Sequence, residues 1–125
     1  MARRILVVED DEKSRRLLTD VLQFHGFEVC AVPSGEEGVA DAKLSCPDAA
    51  LLDIQLPGIS GFDVLARLRA ESMGASLPVI AVTASVMDQD RKKILAAGFD
   101  AYVPKPVNIR ELVTILNELL SKNEP

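Results

Sequence analysis

Four places in the chain hold residues that could do chemistry together. Glu9-Asp10-Asp11 sets three acids in a row after the apolar run Ile5-Leu-Val-Val8. Asp53 ends the run Ala49 to Leu52 and is followed by Gln55 and a Pro57-Gly58 loop. Thr83-Ala84-Ser85 follows Val79-Ile-Ala-Val82, and Lys105 sits between Pro104 and Pro106. If the first two places are neighbours, at least three carboxylates crowd together and cannot all stay ionised without a counter-charge. A hard cation with oxygen ligands supplies one, and Mg2+ suits one or two carboxylates with waters and a phosphate oxygen. The ammonium of Lys105 supplies another. A metal pocket, a cation and a hydroxyl around one aspartate suit phosphoryl transfer, where catalysis is mostly charge neutralisation and positioning.

These groups meet only if the chain brings the ends of those runs to one edge. Ile5 to Val8 reads as a buried strand, four apolar residues with β-branched members among them. Asp11 to His25 reads as a helix in which Leu17, Leu18, Val21 and Leu22 form one apolar stripe, and Gly26 stops it. Phe27 to Val32 is the second strand. Ser34 and Glu37 have capping-box spacing and open a helix that runs to about Ser45, before Pro47. Ala49 to Leu52 is the third strand, and Ser60 with Asp63 opens a helix carrying Val64, Leu65 and Leu68 inward. Val79 to Val82 is the fourth strand; Ser85 and Asp88 open a helix that Gly98 closes. Asp100 to Pro104 is the fifth strand, and Asn108 with Glu111 opens a last helix whose Leu112, Ile115, Leu116 and Leu119 share a face.

Uniformly apolar strands alternating with helices imply a parallel sheet covered on both faces. Right-handed crossovers then give a doubly wound α/β fold. In such a sheet ligands bind beyond the carboxyl ends of the strands, which is where the acids, Thr83 and Lys105 stand. The second strand ends in Pro33-Ser34-Gly35, with nothing reactive.

The 125 residues suit one domain spanning 1–125, with 48% hydrophobic and 26% charged residues, ordinary for a globular protein. A net charge of −5, from 19 acidic and 14 basic residues, argues against direct nucleic-acid binding. No apolar run approaches the roughly 20 residues that cross a bilayer, and Ile5 to Val8 is too short for a signal-peptide core. A cytoplasmic location is expected. Cys30 and Cys46 are read as reduced thiols in or near the core, His25 as a helix-end or surface residue, and Met73, Met87 and the phenylalanines as packing residues.

Val-Val-Glu-Asp-Asp (7–11), Leu-Leu-Asp-Ile-Gln-Leu-Pro-Gly-Ile-Ser-Gly-Phe (51–62), Val-Ile-Ala-Val-Thr-Ala (79–84) and Gly-Phe-Asp-Ala-Tyr-Val-Pro-Lys-Pro (98–106) resemble the receiver domain of two-component signalling. The resemblance runs from Arg4 to Leu120, with four motifs in order. Around Asp53 it most resembles stand-alone, single-domain regulators of the DivK type, and similar wording occurs in receivers attached to hybrid kinases. It implies a flavodoxin-like five-stranded sheet in the order 2-1-3-4-5.

It also implies roles. Asp53 takes the phosphoryl group; Glu9, Asp10, Asp53 and the main-chain carbonyl of Gln55 hold Mg2+; Thr83 and Lys105 contact the phosphoryl oxygens. Tyr102 matches the aromatic switch position, and Asp11 is an extra acid outside the ligand set. Side chains two residues beyond Asp53 and Thr83, Gln55 and Ser85, govern the phosphate lifetime, and the Lys105-Pro106 peptide is cis. The phosphodonor is a histidine kinase or histidine phosphotransferase, and a downstream protein is met through helix four, strand five and helix five.

Such a protein is a signalling switch with self-catalysed phosphotransfer and autodephosphorylation rather than an enzyme, and no output domain is expected. Two other readings compete. A phosphohydrolase of the haloacid-dehalogenase kind also uses a strand-end aspartate and Mg2+, but places a second aspartate where this chain has Gln55. A phosphorylation-independent scaffold leaves the complete acidic pocket without a purpose.

Overall fold

The computed structural model describes residues 3–71, 76–84 and 88–122, with side chains throughout except at 88, 89 and 122. In chain order the elements are β1 (Arg4–Val8), α1 (Glu12–Phe24), β2 (Glu28–Val32), α2 (Gly35–Ser45), β3 (Ala49–Asp53), α3 (Gly61–Ala70), β4 (Val79–Thr83), α4 (Asp88–Ala97), β5 (Ala101–Pro104) and α5 (Ile109–Lys122). The strands pair in parallel in the order β2-β1-β3-β4-β5, the expected doubly wound sheet.

The helices begin where local hydrogen-bond acceptors meet otherwise unpaired amides. Asp11 caps α1 through Ser14 N–H (2.9 Å) and Asn108 caps α5 through Glu111 N–H (3.0 Å). Ser34 caps α2 through Glu37 N–H, and Ser60 with Asp63 forms a reciprocal capping box on α3. Gly26 and Gly98 follow α1 and α4 at φ +90° and +109°, a conformation that costs glycine little.

Side chains alternate along each strand, so the sheet feeds two cores. Leu6, Val8, Ala50, Leu52, Val79 and Ala81 face α2, α3 and α4. Ile5, Val7, Leu51, Ile80, Val82 and Val103 face α1 and α5. Both sides are dry, which is why the strands carry no polar alternation. The expected inward residues of α3, Val64, Leu65 and Leu68, are buried, as are Leu112 and Leu116 of α5, with Ile115 and Leu119 half-buried beside them.

Three expectations are corrected. Leu17 is 57% exposed and lies outside the α1 stripe, which consists of Leu18 and Leu22 with Val21 at its margin. Phe24 is 86% exposed rather than packed; it sits in the last turn of α1 and makes a T-shaped contact with the His25 ring, 5.4 Å between centroids. Cys46 is exposed, at the left-handed end of α2 (φ 48°), while Cys30 is half-buried on β2. Apart from the expected opening of α4 at Ser85, strand and helix ends differ from the expected ones by about a residue. Ser85, Met73 and Met87 lie outside the described residues.

Candidate functional site

Sheet register assembles the site. Val8 is level with Leu52, so Glu9, one residue past β1, stands beside Asp53 at the end of β3. Glu9 keeps the line of the strand because its N–H donates to Val32 O (3.1 Å). On the far side of β4, Lys105 N–H donates to Thr83 O (2.8 Å), which carries the line of β5 past its last residue. Pleat alternation then turns Glu9, Asp53 and Lys105 toward the α1/α5 side, and Thr83 and Tyr102 toward α2, α3 and α4. The Lys105-Pro106 peptide is cis, as expected.

The charged groups touch. Lys105 Nζ donates to Glu9 Oε1 (2.8 Å) and to Asp53 Oδ2 (2.9 Å), bridging two buried carboxylates. The other Asp53 oxygen, Oδ1, accepts from Gln55 N–H (2.9 Å). Asp10 is exposed at the mouth, and carboxylate oxygens of Glu9, Asp10 and Asp53 all lie within 4.8 Å of one another. Burial and the neighbouring Asp53 carboxyl push the Glu9 carboxyl up to about 7, against the opposing pull of Lys105. Burial works to lower the Lys105 ammonium, but its bonds to Glu9 and Asp53 outweigh that and leave it raised.

Thr83 is buried and lines a cavity of about 130 Å3 with Ile54, Gln55, Phe62 and Lys93. An apolar cleft of about 150 Å3 flanks the other side, walled by Leu17, Leu18, Pro106 and Val107 with Glu9 and Lys105 at its base. Tyr102 is half-buried against the α2–α4 core, and the Arg91 guanidinium lies 5.5 Å over its ring.

Glu9, Asp10, Asp53, Thr83 and Lys105 therefore share one sheet edge, with Gln55 on the adjoining loop and Tyr102 one strand away, under α4. Asp11 turns instead into the α1 cap, where backbone and side-chain bonding to Ser14 holds its carboxyl below the usual range. Two supporting residues carry no sequence signal. Arg15 donates to Glu9 O (3.0 Å) and, at longer range, to Asp10 O (3.4 Å), steadying the acidic turn. Glu36 accepts from Ile59 N–H (3.1 Å) in the loop after β3. An arginine or a glutamate near a helix start is commonplace, and its partner is set only by the fold.

The donor set fits a hard divalent cation. It consists of oxygens only, and among the described residues Glu9 Oε2 is a buried oxygen with no hydrogen-bond partner. A buried acceptor left in that state is costly unless something positive completes it.

Residues 5–117 match the family model described as the response regulator receiver domain. The chain is 34% identical over 120 residues to the polar-differentiation response regulator DivK of Brucella ovis, covering 96% of this chain and 98% of that protein. It is 37% identical over 125 residues to the phosphate regulon transcriptional regulatory protein PhoB of Escherichia coli, covering 100% of this chain and 55% of that one. The receiver domain of sensor histidine kinase PA1611 from Pseudomonas aeruginosa superposes with a TM-score of 0.90 at 32% identity, over 97% of this chain and 99% of that one; its structure holds a magnesium ion coordinated in the active site cleft. Fold, motif order and relatives agree: the chain belongs to the response regulator receiver domains, the phosphoacceptor switches of two-component signalling.

Proposed function

We propose that the chain acts as one cytoplasmic receiver domain, spanning 1–125, that takes a phosphoryl group onto Asp53 from a histidine-phosphorylated kinase or phosphotransferase. The observation that carries this reading is the Asp53 carboxylate, buried beside Glu9, bonded to Lys105, and within 4.8 Å of further carboxylates. Glu9, Asp10, Asp53 and the main-chain carbonyl of Gln55 would hold Mg2+. The bound ion supplies positive charge for phosphoryl oxygens in a pocket already rich in carboxylate.

The chain's own groups do the rest. A carboxylate oxygen of Asp53 attacks phosphorus, the bond to the donor imidazole nitrogen breaks, and the imidazole leaves with the electron pair. Lys105 stays beside Asp53 and is placed to meet a phosphoryl oxygen. Thr83, coming from the opposite pleat, donates its hydroxyl to another. Dephosphorylation reverses the logic with water as nucleophile, and the exposed Gln55 side chain, with Ser85, adjusts that water and so the phosphate lifetime. Such a protein changes state and turns over no free substrate. A phosphohydrolase would need an acid two residues beyond Asp53, where Gln55 stands.

The test is labelling from a phosphorylated kinase or a small phosphodonor. Asp53→Asn keeps the shape and removes the nucleophile, so labelling should vanish; excess chelator should nearly stop it in the parent. An Asn variant labelled at the parent rate overturns Asp53 as acceptor. Equal rates in Mg2+ and in chelator remove the metal.

A further inference from the structure

We propose that Glu36, on α2, is a positioning residue for the metal side of the site: it holds the 54–60 loop so that the main chain of Gln55 faces Asp53. This rests on the reading that Asp53 and the Gln55 carbonyl help hold Mg2+. The loop is tied at three points. At its neck, Gly61 N–H donates to Ile54 O (3.1 Å), and Ile54 N–H donates to Val82 O (3.1 Å). Within it, Gln55 N–H donates to Asp53 Oδ1 (2.9 Å). At its far end the tie comes from another element, as Ile59 N–H donates to Glu36 Oε1 (3.1 Å).

Close packing supports the same reading. Gly58 has φ +77°, and a Cβ there would lie 3.0 Å from Glu36 Oε1, so the carboxylate rests against that turn. A Cβ on Gly35 would come 2.6 Å from Ile59 Cγ1 and 2.5 Å from Val64 Cγ2, so the start of α2 is seated on the loop and on α3. Glu37, in the same first turn, would serve the helix dipole equally well. Its carboxylate instead accepts from Ser34 Oγ (3.2 Å) and does not reach the loop. The reach of Glu36 is therefore specific to the segment that presents Gln55.

The experiment measures Mg2+ binding by titration calorimetry on the full chain, with amide NMR shifts of Gln55 and amide exchange at Ile59. Outer partners of ligands typically alter metal affinity by 10- to 100-fold; for this exposed bond Glu36→Ala should weaken Mg2+ by about three- to tenfold, shift the Gln55 amide and speed exchange at Ile59. Glu36→Gln, which keeps an acceptor oxygen, should restore all three. Glu37→Ala should leave Mg2+ affinity and the Gln55 amide as in the parent, whatever it costs in stability. Parent-like affinity and an unmoved Gln55 amide in Glu36→Ala overturn the proposal. So do an equal loss in Glu37→Ala and a failure of Gln to rescue. If the parent itself binds no Mg2+ and Asp10→Asn is no different, the functional reading fails instead, and the Gln55 amide in Glu36→Ala still decides the clamp.

Discussion

Burial does not act alike on the ionisable groups, because each has different company. Glu9 loses almost all its hydration beside another carboxylate, and its carboxyl rises from 4.5 to about 7. Lys105 is also partly withdrawn from water but gains two anionic partners, so its charge is kept. The same balance predicts how the cysteines behave. Burial, followed by the neighbouring Asp41, lifts the Cys30 thiol from 9.0 to about 11, whereas Cys46 is exposed. A raised thiol value favours the neutral form, and the thiolate is the nucleophile. Two units correspond to about 100-fold less thiolate well below the shifted value. Iodoacetamide at pH 8, mapped by mass spectrometry, should therefore modify the exposed Cys46 well before Cys30. The Cys30 rate should climb about tenfold per pH unit until it nears 11. Equal rates at pH 8 would show that Cys30 is open to solvent in the folded chain.

Elements were legible in the sequence where the signal is local, and lost where it depends on a neighbour. Ser34, Ser60 and Asn108 announce their helices through contacts three residues away, and the strands show themselves as apolar runs. Strand ends then place Glu9, Asp53, Thr83 and Lys105 at one edge, so most of the candidate site is legible in the sequence. Leu17 could not be placed this way. Its four-residue spacing to Val21 parallels that of Leu18 to Leu22, yet it lies over the cleft walled by Pro106 and Val107, a boundary fixed by the β5–α5 connection. Arg15 and Glu36 were invisible for the same reason. Glycines divide along this line too. Gly26 shows its purpose locally, at φ +90° with nothing within 4 Å of a built Cβ. Gly61 has an ordinary φ, but a Cβ there would come 2.6 Å from Asp53 O and 2.8 Å from Ile54 Cα. Gly26→Ala should cost about 1–2 kcal/mol of backbone strain in denaturant unfolding and leave the Gln55 amide in place. Gly61→Ala should cost about 1–3 kcal/mol, as overpacking does, and also shift that amide, since backbone must move at the end of β3. A Gly61→Ala protein as stable as the parent, with Gln55 unmoved, would mean that α3 is not seated against the strand.

Across the whole molecule, a charge change at one sheet edge has to alter a distant surface. Phosphorylation adds about −1.5 to −2 charges, and the pleat offers a route. Thr83 and Tyr102 point to the same face: Tyr102 is level with Ala81, two residues before Thr83 on β4. Phosphoryl oxygens drawing the Thr83 hydroxyl toward Asp53 would open space beside β5 on the α4 side. Tyr102 can turn into that space only by changing its contact with Arg91, whose guanidinium lies 5.5 Å over the ring from α4. An aromatic ring and a helix would then move together, altering the shape and charge of the face made by α4, β5 and α5, where a downstream protein is proposed to dock. The phosphoryl group need only bias two arrangements a few kcal/mol apart. Coupling between sites is typically about 5- to 150-fold in affinity, and that is the quantity to measure. The binding ratio of phosphorylated to unphosphorylated chain should exceed about fivefold in the parent and fall toward one in Thr83→Ala and in Tyr102→Ala. Both variants should still accept phosphate on Asp53, since the buried carboxylate and Lys105 are untouched. Arg91→Ala should keep the response but alter unphosphorylated binding, because it loosens the ring without removing it. Should both Thr83→Ala and Tyr102→Ala keep the parent's ratio, the signal leaves by another surface, with the α1 cleft beside Leu17 next in line.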